Sequence, residues 1–399
     1  LILVQSAERR MLQALLDQTF LTRAVRVRLP DGRELTAGPG TPELTAEITD
    51  MKAALAIAAN PDLALGEAFM DGTFRVEGGD IYDFLQLTTS QLAIRPRAGK
   101  LTLVQRLRRG AEQANDRLHA RSNVHHHYDL TVDFYRLFLD EDLQYSCAFF
   151  ETPDATLDQA QVAKKRRLID KLLLTPGQSA LDIGCGWGGL GLSMAERGAR
   201  VTGVTLSTEQ HRTANERAAA RGLADRAEFH LQDYRDLNQT FDRIISVGMF
   251  EHVGAPNYQE YFDTVARLLA DDGVAVIHSI GRKTPPSRTQ PFIRKYIFPG
   301  GYIPALSEVL PAIERAGLWV TDTEVLRLHY AETLRIWRER FLARREEALA
   351  LYDERFCRMW EFYLAASEVA FRELGHMVFQ LQLAKKQTAV PLSRDYLCE

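Results

Sequence analysis

Along the second half of the chain, apolar and polar positions alternate between short runs that suit strands and longer amphipathic stretches that suit helices. Strand-like runs at 180–183, 200–206, 227–231, 243–248 and 274–280 are separated by helix-patterned segments, which predicts an α/β fold with a doubly wound parallel sheet. The second helix has defined ends: Ser207 with Gln210 predicts a capping box, and Gly222 supplies the stop. At 282–305 the rhythm breaks. Pro285, Pro286, Pro291, Pro299, Pro304, Gly300 and Gly301 fall there, with basic residues and no acidic one, so an inserted loop is expected. Helical stretches at about 331–350 and 353–373 and a last strand at 376–383 complete the pattern.

The first part reads differently. A strand-like run at 25–29, a helix-like run at 51–59 and the turn Met70-Asp71-Gly72 predict a small α+β domain over 1–94. A basic linker at 95–125 follows, with only Glu112 and Asp116 opposing its Lys and Arg residues over 95–121. It reads either as a solvated helix face or as a contact for anionic headgroups. The sheet domain is then expected over 126–399. With 399 residues, 46% apolar and 26% charged, the chain can bury a large core, which excludes a disordered tail or a stapled mini-protein. A formal charge of -4 leaves no global basic field for nucleic acid. The cysteines (Cys147, Cys185, Cys357, Cys398) form no C-x-x-C pair, so neither a disulfide framework nor a zinc ribbon is expected and a reducing cytoplasm fits. No apolar run approaches the length of a membrane span.

Chemistry enters at Leu181-Asp182-Ile183-Gly184-Cys185-Gly186-Trp187-Gly188-Gly189, where the first strand gives way to a helix. Gly184, Gly186 and Gly189 satisfy G-x-G-x-x-G, so a dinucleotide comes first to mind. Two features oppose it. Asp182 would repel a pyrophosphate, and the second strand ends in Thr205-Leu206 where a nicotinamide site wants a ribose-binding acid. A cationic donor without phosphate reverses the argument, and S-adenosylmethionine, with its sulfonium and ammonium, is preferred over NAD or a ligand-free turn.

Further loaded segments are Gln-Tyr-Ser-Cys-Ala at 144–148, just before the strands of the sheet domain, Gly-Met-Phe-Glu-His-Val-Gly at 248–254 and Ile-His-Ser-Ile-Gly at 277–281, at the ends of the fourth and fifth strands, and His329-Tyr330 after the sixth. With Leu-Asp-Ile-Gly-Cys-Gly-Trp-Gly-Gly at 181–189, Val-Thr-Gly-Val-Thr-Leu-Ser at 201–207 and Lys-Tyr-Ile-Phe-Pro-Gly-Gly at 295–301, the chain resembles the cyclopropane-fatty-acyl-phospholipid synthases and their mycolic-acid-modifying relatives. The resemblance implies an S-adenosylmethionine-dependent methyltransferase domain of Rossmann-like fold behind a small lipid-associated domain. It implies methylene addition to the cis double bond of a phospholipid acyl chain with bicarbonate as base. By position, it puts the bicarbonate site at Cys147, Glu251, His278, Tyr330 and the backbone of Ile280. The donor site would be Tyr128, Tyr145, Ser146, Asp182, Gly184, Gly186, Thr205, Gln210, Gln232 and Asp233. It further implies a homodimer, peripheral on the inner face of the membrane.

Plainer readings stand beside these. Cys147 suits a small core position, Gln210 a capping role, and Glu251-His252 a helix N-terminus. His125-His126-His127 cannot easily share one face, so no metal site is expected. The chain has Thr131-Val132 where the family commonly has Gly-Asn, and Ser367 where some members have cysteine. Arg282, Lys283, Arg288, Arg294 and Lys295 beside Phe292, Tyr296, Ile297 and Phe298 suggest that the inserted loop meets headgroups and acyl chains. Rival outcomes are a methyl- or methylene-branched acyl product, methylation of a small amine, or a non-catalytic lipid-binding protein.

Overall fold

The computed structural model describes residues 2–93 and 130–397. The basic stretch at 95–125, the histidine run, Tyr128 and Cys398 lie outside the described residues. Two compact units form, and neither is continuous in sequence: described residues 2–93, 290–297 and 334–375 make one, and 130–289, 298–333 and 376–397 the other. These units cut the chain differently from the expected boundaries, because two segments of the expected sheet domain fold with the N-terminal unit.

The smaller unit begins with α1 (Ile2–Thr19), β1 (Val25–Arg28), β2 (Glu34–Ala37), β3 (Thr45–Ile48), α2 (Met51–Ala59), α3 (Pro61–Met70), β4 (Phe74–Glu77) and α4 (Ile81–Ala93). Its sheet runs β2-β1-β3-β4, with β1 and β3 parallel. Val25 and Val27 on β1 and Ala46 and Ile48 on β3 alternate inward, the period expected of a half-covered sheet. Asp50 caps α2 by accepting the Lys52 N–H, and Pro61 sits where α3 has no hydrogen bond to lose.

The larger unit holds α5 (Val132–Tyr135), α6 (Leu157–Lys171), β5 (Ser179–Ile183), α7 (Gly189–Glu196), β6 (Arg200–Thr205), α8 (Thr208–Ala220), β7 (Ala227–Leu231), β8 (Phe241–Val247), α9 (Tyr258–Leu268), β9 (Leu269–Arg282), α10 (Leu306–Arg315) and β10 (Trp319–Leu326). The chain continues through α11 (His329–Ala343), α12 (Arg345–Leu351) and α13 (Glu354–Glu373) to β11 (His376–Ala384). The sheet order is β10-β11-β9-β8-β5-β6-β7, parallel except for β11, which runs antiparallel to both neighbours. All the expected strands are present. Leu181, Ile183 and Ala275 pack beneath α9 and α10, whereas Ala180, Val201 and Val276 pack with Leu168, Leu192 and Ala214 from α6, α7 and α8. Helices thus cover both faces of the sheet, which explains the near-continuous apolar runs.

Three local expectations change. Ser207 does accept the Gln210 N–H at 3.3 Å, but Gln210 Oε1 accepts from the Thr205 hydroxyl at 2.9 Å instead of returning to the cap, so the capping box is half made. The helix expected over 331–350 divides into α11 and α12 around Arg344. Thr131, where the chain departs from the family pattern, caps α5 by accepting the Phe134 N–H.

The inserted loop also behaves differently. In the smaller unit Phe292 and Ile297 are buried, and the Phe292 ring lies 4.6 Å from that of Phe362 on α13. Helix α13 packs along α3 and α4. At Gly66 of α3 an added Cβ would stand 2.3 Å from Phe292 Cδ2, so the ring rests directly on helix backbone. Glu67 accepts from Lys295 Nζ at 2.6 Å and from the Tyr296 hydroxyl at 2.7 Å. Of the apolar groups expected to meet lipid, Phe292 and Ile297 are therefore core while Tyr296 and Phe298 are only part-buried, and Lys295 has a counter-ion within the protein. Phe292→Ala should destabilise the smaller unit by about 3–5 kcal/mol, read as an earlier transition in denaturant unfolding. An unshifted transition would contradict this packing.

Candidate active site

Strands β5 and β8 are neighbours at the middle of the sheet, but the chain leaves β5 toward β6 and β8 toward β9. Connections that part in opposite directions leave a crevice beyond the strand ends. The turn after β5 forms one wall. Gly184 and Cys185 donate to the Val204 carbonyl at 2.9 and 3.0 Å. Gly184 has φ +77°, and an added Cβ would meet Met249 at 2.9 Å, so glycine is required on both counts.

Residues 143–146 also line the crevice, in a segment clamped from α6 and α8. Gln161 donates to the Ser146 and Gln144 carbonyls, Lys164 donates to Gln144 Oε1 at 2.7 Å and Ser146 Oγ at 2.9 Å, and Lys165 pairs with Asp142 at 2.6 Å. Arg217 pairs with the same carboxylate. Tyr145, Ser146, Asp182, Gly184, Gly186, Thr205, Gln210, Gln232 and Asp233, all expected as donor-binding residues, line this same cleft.

Charge in the cleft is unbalanced toward acid. Arg235 is the basic side chain of the lining other than histidine, and both oxygens of Asp233 hold it, at 2.9 and 2.6 Å. Burial pushes His252 down to about 4, so it is neutral. Burial pushes Asp182 up to about 7, against the nearby Lys164 ammonium and a backbone N–H from Gly191. Lys164 is itself pushed down to about 8 by burial, against the pull of Asp140. Among the described residues, no uncommitted cation lines the cleft to receive a pyrophosphate. The lining fits S-adenosylmethionine better: a titrating carboxyl beside the glycines, neutral Thr205 and Gln210 for hydroxyls, and the ring of Tyr145, braced edge-on by Tyr135 at 5.3 Å, for a sulfonium.

Of the residues expected to hold an anion, Glu251 and the Ile280 backbone meet near the end of β9, the strand that also carries His278. Glu251, in a single turn at 250–252 after β8, accepts the Ile280 N–H through Oε1 at 2.6 Å. The Ile280 backbone donor is thereby taken up by Glu251. The other carboxylate oxygen, Oε2, is buried with no hydrogen-bond partner, and burial pushes the group up to about 7. His278 lies two residues before Ile280 and so faces the same side of the strand. Burial, then the charges of Lys164 and Lys171, push it down to about 3. Cys147 is fully buried, and burial raises its thiol well above the ordinary range, so it serves as volume rather than as a nucleophile. Its neighbour Ala148 donates to Thr333 Oγ1 at 3.1 Å, bringing this segment to the helix that carries the buried Tyr330. Among the described residues, no hydrogen bond joins Glu251 to His278 or to Cys147.

Sequence reasoning missed Lys164, Gln161 and Arg235. A signal for the first two existed: Gln161, Lys164, Lys165 and Leu168 recur at the spacing of one helix face, and that face also carries Leu157 and Ala160 and is buried.

A family profile described as mycolic acid cyclopropane synthetase matches residues 115–381, and one described as a domain of unknown function (DUF7884) matches residues 11–92. The chain is 37% identical over 358 residues to a probable fatty acid methyltransferase of Pseudomonas putida, covering 88% of this chain and 89% of that one. It is 40% identical over 326 residues to the cyclopropane-fatty-acyl-phospholipid synthase of Escherichia coli (strain K12), covering 81% and 83%. Among solved structures, mycolic acid cyclopropane synthase CmaA1 complexed with SAH and CTAB superposes with a TM-score of 0.63 at 36% identity, covering 66% of this chain and 97% of that one.

A donor cation should bind more tightly as Asp182 ionises. Calorimetry should show S-adenosylmethionine affinity rising between about pH 6 and pH 7.5, and Asp182→Asn should lower affinity about tenfold, about 1.4 kcal/mol, and flatten the slope. An unchanged slope in the variant would remove Asp182 from this role.

Proposed function

Because the chain belongs to the mycolic acid cyclopropane synthetase family of S-adenosylmethionine-dependent methyltransferases, we propose that it adds a methylene group across the cis double bond of an unsaturated phospholipid acyl chain. Bicarbonate is the base in this reading. The observation that carries it is Glu251 Oε2, a buried carboxyl oxygen with no partner, on a group that titrates near neutrality at the end of β9. Such an atom asks for a small polar occupant.

An alkene is a neutral nucleophile, so its alkylation needs alignment with the methyl and exclusion of water rather than a base at the outset. The glycine turn, Asp182 and Tyr145 supply the alignment on the donor's side. Positive charge then develops on the acyl chain, and closing a ring requires loss of a proton from the added methyl group. Bicarbonate, when bound, supplies the acceptor for that proton. In this reading Glu251 in its protonated form donates through Oε2 to the anion, with the Tyr330 hydroxyl and neutral His278 as the further donors. The un-ionised Cys147 keeps a competing nucleophile out of the site. The reading carries with it a peripheral station on the inner face of a bilayer, where the acyl chain resides.

A second reading is supported by the likeness to a fatty acid methyltransferase: the same donor and acyl substrate, ending in a methyl- or methylene-branched chain. Proton NMR of the product lipid separates them, since ring protons and exocyclic methylene protons resonate at opposite ends of the spectrum. With bicarbonate-depleted enzyme and unsaturated phospholipid vesicles, added bicarbonate should raise the rate, and Glu251→Gln should lower the bicarbonate-supported rate by about 100-fold. A rate indifferent to bicarbonate in the unmodified enzyme would sink this reading.

A further inference from the structure

Strand β11 pairs antiparallel with β9 and sets Gln380 directly opposite His278. Both side chains are almost fully buried, and Gln380 Nε2 lies 3.1 Å from His278 Nδ1. The orientation of this amide is not arbitrary. Its oxygen accepts from Lys171 Nζ at 2.7 Å, and an ammonium can only donate, so Oε1 must face the lysine. The NH2 group therefore faces the imidazole, and because an amide nitrogen does not accept, Nδ1 must be the bare nitrogen of the ring.

The lysine is fixed in turn. Glu324 accepts from Lys171 Nζ at 2.6 Å and from Arg167 at 2.8 and 2.5 Å. Against the upward push of burial, the Arg167 hydrogen bonds and the Lys171 charge hold Glu324 down to about 2, so it is ionised at every working pH. Burial and two neighbouring lysines keep His278 neutral. A single proton on the ring then has one place left.

We propose that Gln380 is a positioning residue which, held by Lys171 and Glu324, locks His278 as the Nε2–H tautomer so that the ring presents a hydrogen-bond donor to a small oxyanion. The identity of that oxyanion rests on the bicarbonate reading above; the tautomer does not. A merely structural polar strut would tolerate either tautomer.

The test uses the full chain labelled with nitrogen-15 at histidine, with His278 signals assigned by their loss in His278→Asn. Unmodified protein should show Nδ1 bare and Nε2 protonated, and Gln380→Met and Lys171→Met should each shift the population toward Nδ1–H. Gln380→Met should lower kcat about 10- to 100-fold and raise the bicarbonate concentration needed for half-maximal rate. S-adenosylmethionine affinity by calorimetry should be unchanged, which certifies the fold. A proton on Nδ1 in unmodified protein overturns the proposal, as does a Gln380→Met protein that keeps both tautomer and rate. If the tautomer behaves as stated but the unmodified enzyme ignores bicarbonate, the anion is wrongly identified and the role of Gln380 stands.

Discussion

The parting of the chain at the ends of β5 and β8 is the constraint from which the site follows. It opens a crevice whose floor is the apolar centre of a seven-stranded sheet, and any charge brought to that floor loses its hydration. Such groups must find partners or change protonation state. Asp182 and Glu251 drift toward neutrality, His278 stays neutral, and Lys164 is held by Gln144 and Ser146. The site is thus a set of groups poised close to exchange with protons, placed by topology and tuned by dehydration.

The difference between the donor cleft and the groups at the end of β9 has a physical reason. In the donor cleft, the polar groups among the described residues are neutral or acidic and Arg235 is neutralised by Asp233, which favours a cation and disfavours phosphates. At the end of β9, the carboxyl has an unsatisfied oxygen and the imidazole is neutral, which favours an anion or its conjugate acid. A transformation that begins with a sulfonium and ends with a proton leaving carbon has a use for both kinds of environment.

Much of this was legible in the sequence. Strands covered on both faces leave uninterrupted apolar runs, and β5, β6, β7 and β8 appear within two residues of where such runs fall. The glycine turn announces itself because close approach admits few residue types. What stayed hidden depends on distant partners. Lys164 and Lys171 look like a solvated helix face until α6 is seen to turn them inward, and Gln380 is one of two glutamines in a largely apolar strand until Lys171 fixes which way its amide points. Phe292 and Lys295 resembled lipid-seeking groups because their partners, Gly66 and Glu67, lie more than two hundred residues earlier. The resemblance supplied positions; only the structure supplied states of protonation.

The interleaved composition of the smaller unit also bears on how the protein comes off the ribosome. Residues 2–93 are translated before the rest of this unit, yet the strip of helix that covers α3 and α4 is not translated until residues 354–373, and the ring that seats on Gly66 not until residue 292. At about 5–20 residues per second, the nascent N-terminal part waits on the order of ten seconds or longer with an apolar flank uncovered. Its completion comes late in synthesis, after most of the larger unit has been translated, and that interval is the window in which chaperones or a neighbouring nascent chain would find it.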